Sequence, residues 1–411
     1  MDYVRFIIEN RRFLAFGFLV ALFSSFGQTF FISLFSADIR LDFGLTHGQF
    51  GYVYAVATLS SGLCLMWLGG KIDHVDLRFY SALVCGGMVA ACFFMAWTPG
   101  YFYLIAAIFF LRLAGQGLMS HVSATSMIRY FQEGRGKAIS IGSLGHSLGE
   151  AVFPLLAVAL LASMGWREGW VLIGLILGVG LIPLTQWLLR GHAHRHQRLV
   201  ETSAARAATR SGRDWSHKEV LRDPMFYVLM TSVLAPSFII TGFFFHQVHL
   251  AETKGWSLAW LASCFLGYAS MKVVVSLLSG PLVDRFGALR LFPLYLPPLG
   301  IGLLFLVWFD HPLAALAYLV LGGVNGGLNF TVGAAMWAEL YGIQNIGAIR
   351  ATVAALRVFS SALGPAFVGL LIDLGVTMEN AALICIAYIV VTSIVVTGAV
   401  RRSGRGDPHA Q

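Results

Sequence analysis

Three cations and one carboxylate stand inside long apolar runs of this 411-residue chain: Arg112, Lys272, Arg357 and Glu150. An ionisable side chain in such a setting is costly to desolvate and usually functional. Glu150 can neutralise one cation, and Arg112, on the preceding run, is the natural partner. Lys272 and Arg357 are then left without a carboxylate, unless Glu339 or Asp284 reaches them from a run end. The chemistry this points to is recognition of an anion from outside the chain. An organic carboxylate suits both cations, since guanidinium offers a bidentate fork and ammonium a compact point charge. Each cation also has a structural alternative. Arg112 pairs with Glu150, Lys272 snorkels to an interface, or Arg357 clamps Asp284 or Asp73.

Polar neighbours extend the set. Asn325 and Asn329 lie one helical turn apart and serve either as ligand contacts or as helix–helix glue. Gln28 and Tyr54 are further candidates for lining a cavity. Glu150 and His146 share a helix face, and with His246 they are candidates for carrying a proton, because histidine titrates near neutral pH. His121 and His249 carry the same two readings, coupling or plain hydrogen bonding. No GxSxG, HExxH or P-loop pattern is present, so neither a catalytic residue nor a cofactor is expected. The five cysteines fall in apolar runs without metal-ligand spacing and read as packing residues. His192, His194 and His196 cluster in a basic stretch, read as a solvated linker near anionic lipid in preference to a metal site.

These residues need elements to hold them, and the composition says which. Apolar residues make up 57% of the chain and charged ones only 12%, about half the charged fraction of a soluble protein. Twelve apolar runs are marked, roughly 13–35, 48–69, 79–97, 101–124, 138–163, 169–189, 225–249, 257–280, 291–309, 312–335, 346–371 and 379–400. Each is long enough for a bilayer-spanning helix, and none alternates as a barrel strand would. Of the 28 Lys and Arg, 22 fall on one side of the resulting topology and three on the other. The positive-inside rule then places both termini in the cytoplasm. The net charge of +8 lies in short loops, which argues against a nucleic-acid partner. By helical rise, Lys272 lies about 12 Å before Gly280 and Arg357 about 10 Å past Arg350. Thr46 and Gln49 have capping-box spacing at the start of the second run.

The chain repeats itself. After the second run it reads Gly69-Gly-Lys-Ile-Asp73, with His74, Asp76 and Arg78 following. After the eighth it reads Gly280-Pro-Leu-Val-Asp284-Arg285, with Gly287 and Arg290 following. The copies are 211 residues apart, which marks a duplicated half. The glycines would let helix ends approach closely, and the aspartates would accept from a helix N-terminus or pair with a cation. These segments resemble the signature loop of the major facilitator superfamily. The second copy matches closely, while the first has His74 where a cation is usual and Asp76 where Gly is usual. Arg112-Leu-Ala-Gly115-Gln-Gly117 is similar to the family's RxxGxG pattern, and Gly142, Gly145, Gly149 and Pro154 to its packing motif.

The resemblance implies an all-α membrane protein of twelve transmembrane helices in two pseudo-symmetric six-helix bundles, with a central cavity and alternating access. The organisation expected is a bundle over 1–189, a cytoplasmic basic linker over 190–224, a second bundle over 225–400 and a tail over 401–411. Gly69, Asp73, Arg78, Gly280, Asp284, Arg285, Gly287 and Arg290 are the expected gating residues. Cations on the eighth and eleventh runs resemble the oxalate/formate and monocarboxylate porters of that family. Those carry an arginine about a turn nearer the loop, where Ser276 stands here. The expected function is transport of a small carboxylate across a bacterial inner membrane by a monomer, with membrane lipids as the other partner. The alternatives are a drug or metabolite exporter of the same fold and, more remotely, a membrane sensor or enzyme.

Overall fold

The computed structural model describes residues 3–73, 75–131, 134–191, 215, 217–342 and 346–403. The histidine cluster and most of the 190–224 stretch lie outside them, as do His74, the tail beyond Ser403 and the side chain of Asp73. Among the described residues eleven helices are long and apolar enough to cross a membrane, and a bent pair makes a twelfth. We number them α1 (Val4–Gly27 with Thr29–Phe43), α2 (His47–Ile72), α3 (Leu77–Ala96), α4 (Tyr101–Tyr130), α5 (Gly136–Ser163), α6 (Trp166–Leu188), α7 (Pro224–Phe245), α8 (Leu258–Phe286), α9 (Ala288–Trp308), α10 (Leu313–Tyr341), α11 (Ile349–Asp373) and α12 (Met378–Arg402). Large apolar side chains such as Val391 and Ile394 are 61% and 66% exposed. That surface suits lipid, in which every backbone polar group must be satisfied within the helix.

The chain divides into two compact units, one of Met1–Phe43 and Val56–Ser211, the other of Gly44–Ala55 and Gly212–Gln411. The first turns of α2 thus belong with the second unit. Packing repeats between the units: α1 lies on α5 as α7 lies on α11, and α3 on α6 as α9 on α12. Glycines make the first of these pairings close. A Cβ on Gly145 would strike the Phe18 carbonyl, and one on Gly364 the Phe238 carbonyl.

The first run departs from the continuous helix expected over 13–35. The two halves of α1 meet at 47°. Gln28 takes extended dihedrals, φ −86° and ψ 153°, and the helical ladder restarts with Gln28 O accepting from Phe31 and Ile32 N at 3.2 and 3.1 Å. No proline causes the break. A side-chain donor from α4, described below, holds the backbone group that it exposes.

Candidate functional site

In the second unit, Arg357 of α11 is half-buried. Its Nε donates to Ser237 Oγ of α7 at 3.2 Å. Its two terminal nitrogens meet no acceptor among the described residues, and no carboxylate pairs with it. A guanidinium held by one edge, with its other edge unfilled, is arranged to receive a planar anion. Of the carboxylates expected near it, the side chain of Asp73 lies outside the described residues. Glu339 accepts from the Ala288 and Leu289 amides at 2.6 and 3.4 Å, capping the first turn of α9. Asp284 is exposed and has no polar partner among the described residues.

Lys272 extends along α8 away from Gly280. Its Nζ lies 5.7 Å from the centre of the Tyr268 ring, one turn farther from Gly280, in a cation–π arrangement. Its stem lies over Gly326, where a Cβ would stand 3.5 Å from Lys272 Cγ and Cδ and from the Tyr268 hydroxyl. The next residue back in α10, Asn325, is fully buried and donates from Nδ2 to the Tyr295 carbonyl at 2.7 Å. Asn325 is therefore helix–helix glue, while Asn329, half-buried, has no polar partner among the described residues. The Tyr295 hydroxyl of α9 is buried without a hydrogen-bond partner, as is Asn325 Oδ1. Adjacent residues of α10, Asn325 and Gly326, thus join Tyr295 to Lys272 and Tyr268. Tyr295 and Ser237 escaped the sequence reading, because nothing in the run Leu294-Tyr-Leu-Pro297 separates an unsatisfied phenol from an ordinary core tyrosine.

In the first unit, Arg112 is 1% exposed. Its Nη1 donates to the Gly27 carbonyl at 3.1 Å and to Thr29 Oγ1 at 3.4 Å. The Gly27 carbonyl is a group that the break in α1 releases, so Arg112 satisfies the kink. It sits at the start of a π-helical stretch, Arg112–Met119, a distortion common at functional sites. Gly115 faces Gly27 so closely that a Cβ on either would strike the other's backbone, at 2.6 to 2.7 Å. The RxxGxG pattern is thereby explained by geometry, since the arginine holds the kink and the glycine admits it. Gln28, at the kink, is half-buried with no side-chain partner among the described residues. His146 Nδ1 lies 3.3 Å from Ser24 Oγ, which also receives Ser120 Oγ at 3.2 Å. Glu150 lies half-buried one turn further along α5.

The remaining candidates sit toward the ends. His246 is buried and donates from Nε2 to the Pro365 carbonyl at 2.9 Å. The His47 ring lies 4.3 Å from His249 and 5.6 Å from His246. Tyr54 is fully buried, 4.6 Å from the Phe245 ring, so it contributes to packing. The capping box of α2 forms as expected, Thr46 N to Gln49 Oε1 at 3.0 Å and Gln49 N to Thr46 Oγ1 at 3.2 Å. Asp373, the last residue of α11, adds a second cap. Its carboxylate accepts from Thr46 Oγ1, His47 N and Gly48 N at 2.6, 3.1 and 2.9 Å.

The two signature loops reach one result by different routes. In the first, Asp76 caps α3 itself, accepting from Arg78 and Phe79 N at 2.9 and 3.3 Å. Gly287, 211 positions later, has φ +81° and no side chain to cap with, so Glu339 supplies the carboxylate. Arg129 donates to the Ile72 carbonyl at 3.0 Å, bringing a cation to the loop that carries His74. Gly69 O lies 3.1 Å from His121 Nε2. The expected close approach at Gly280 is not seen among the described residues, where a Cβ would meet nothing within 4 Å. Arg78, Arg285 and Arg290 are exposed, with Arg285 5.1 Å from the Phe286 ring.

Repeated helix pairings, paired signature loops and an intramembrane cation without an acidic partner among the described residues mark a polytopic helical fold. The chain belongs to the Major Facilitator Superfamily, whose sequence model matches residues 17–271 and 246–410. Among curated relatives it is 27% identical over 204 residues to the membrane sensor protein UhpC of Salmonella typhimurium, covering 46% of this chain and 43% of that one. It is 28% identical over 167 residues to the oxalate:formate antiporter of Oxalobacter formigenes, covering 40% and 36%. To human monocarboxylate transporter 6 it is 26% identical over 147 residues, covering 35% and 28%. The chain thus aligns with less than half the length of these relatives. In structure it is similar to a bacterial homologue of the human lysosomal transporter Spinster, with TM-score 0.69 at 14% identity, covering 98% of this chain and 97% of that one.

Proposed function

We propose that this protein is a secondary active transporter that moves a small organic anion, a mono- or dicarboxylate, across the bacterial inner membrane by alternating access. Proton symport or anion exchange would drive it. The observation that carries the reading is Arg357, half-buried in a membrane-spanning helix, with its terminal nitrogens unfilled among the described residues and Glu339 engaged by the first turn of α9. Lys272, Asn329 and Tyr295 are the residues expected to complete the anion contact. The likeness to an oxalate:formate antiporter and a monocarboxylate transporter supports the same solute class. Cytoplasmic termini follow from the Lys and Arg asymmetry. A drug exporter of this fold would be expected to hold its cations in internal pairs, and Arg357 counts against that.

A second reading takes support from the relative named as a membrane sensor. In it the same cation binds an anion without turnover. One experiment separates the two. Purified protein is screened with a panel of small carboxylates by thermal shift, then reconstituted and assayed for uptake of every acid that stabilises it. Saturating ligand at about a hundred times Kd should add about 2.7 kcal/mol of stability. Stabilisation with uptake supports transport, stabilisation without uptake supports sensing, and no stabilisation by any acid contradicts both.

A further inference from the structure

A groove on the first unit has no part in the site above. It lies where α1 begins and α6 ends, with a volume of about 440 Å³, and is lined by Ile8 to Phe13 and Leu188 to Gly191. Phe13, Leu188 and Leu189, each under 7% exposed, back it. Three guanidiniums, Arg11, Arg12 and Arg190, stand at its rim. Arg12 is fixed, with Nη2 donating to the Trp187 carbonyl at 2.5 Å and its guanidinium 4.8 Å from the Trp187 ring centre. Arg11 and Arg190 have no polar partner among the described residues. The acid of the groove, Glu9, is committed to Arg5 at 2.8 Å.

The groove is open to an anion, and the surface beside it says which kind. Val4 and Ile8, one turn apart on α1, are 60% and 59% exposed, and Leu184 and Trp187 on α6 are 39% and 48% exposed. Of these, Leu184 and Trp187 precede Arg190 and carry an apolar face from the cationic rim into the bilayer-spanning part of α6, whereas Val4 and Ile8 lie on the other side of Arg11. A free phosphate would leave that face unused. A molecule with an anionic head and hydrocarbon tails would fill both parts, and basic pockets at helix ends hold such head groups.

We propose that Arg11, Arg12 and Arg190 form a binding site for one anionic phospholipid, its phosphate on the guanidiniums and an acyl chain along Leu184 and Trp187. The site stands apart from the anion contact at Arg357 and does not depend on that reading. Native mass spectrometry of the full-length protein tests it, with phosphatidylglycerol and phosphatidylcholine offered in equal amounts. Wild type should retain phosphatidylglycerol preferentially. Arg11→Gln with Arg190→Gln should lower that retention about thirtyfold, at about 1 kcal/mol per basic residue, without altering the elution profile. Glu9→Gln, which removes the acid of the groove, should raise it. Equal retention of the two lipids, undiminished retention in the double variant, or displacement of the lipid by millimolar inorganic phosphate would each overturn the proposal, the last by assigning the groove to a free anion.

Discussion

At the scale of single residues, burial and partner together separate working charges from structural ones. Arg112 and Arg357 read alike in the sequence, as lone arginines in apolar runs. In the structure Arg112 is bound to a carbonyl that a broken helix leaves unpaired, whereas Arg357 is held by one hydroxyl and presents the rest of its fork. Their substitutions should therefore differ in kind. Arg112→Gln exposes a buried carbonyl to no donor and should cost about 1–3 kcal/mol of stability, read as a lower thermal midpoint. Arg357→Gln should leave the midpoint nearly unchanged and act on solute binding. Lys254 makes a third case, outside the spans. Burial alone would pull its ammonium down, but hydrogen bonds to Asp310 and Glu379 at 2.6 and 2.7 Å outweigh that and hold it above its ordinary value. A raised cation stabilises the fold fully below its unfolded pKa and loses that contribution as pH rises through the folded one. The stabilisation should thus persist at neutral pH and fade only on the alkaline side. Lys254→Met should cost about 2 kcal/mol at pH 7, less than a fully buried pair because Asp310 is 80% exposed. A pH series of unfolding midpoints checks both the size and the sign.

At the scale of helices, what hydropathy marks is the length of each apolar stretch, and eleven of the twelve stretches became single helices. The break in α1 was illegible for a physical reason. Transfer energies report how side chains are solvated, whereas the kink at Gln28 is a backbone event held by Arg112, over eighty positions away. The substitution of Asp76 for glycine looked like a weakened motif and proved to be a cap, since position 76 at negative φ accepts an aspartate that position 287 at φ +81° does not. The partner role of Glu339 was hidden for a similar reason, because its carboxylate caps a helix 51 positions earlier in the chain. Two predictions belong here. Gly145→Val would drive a branched side chain into the Phe18 carbonyl and should cost about 1–3 kcal/mol by overpacking. Asp373→Ala would remove the acceptor for Thr46 Oγ1 and two amides of α2, costing about 1 kcal/mol as a lost cap. Both are read from thermal midpoints in detergent, and an unchanged midpoint would contradict the packing described here.

For the molecule as a whole, membership of the superfamily rests on a match along nearly the entire chain, and the repeated helix pairings agree with the 211-residue repeat read from the loops. The solute is a narrower claim and rests on one guanidinium and its surroundings. Uptake of labelled small carboxylates into proteoliposomes, measured for wild type, Arg357→Lys and Arg357→Gln at matched insertion, puts it to the most direct test. Saturable uptake of at least one acid should fall more than tenfold in Arg357→Gln and partly recover in Arg357→Lys, which keeps the charge but not the fork. Wild-type uptake that survives Arg357→Gln undiminished would contradict the assignment of Arg357 as the anion contact.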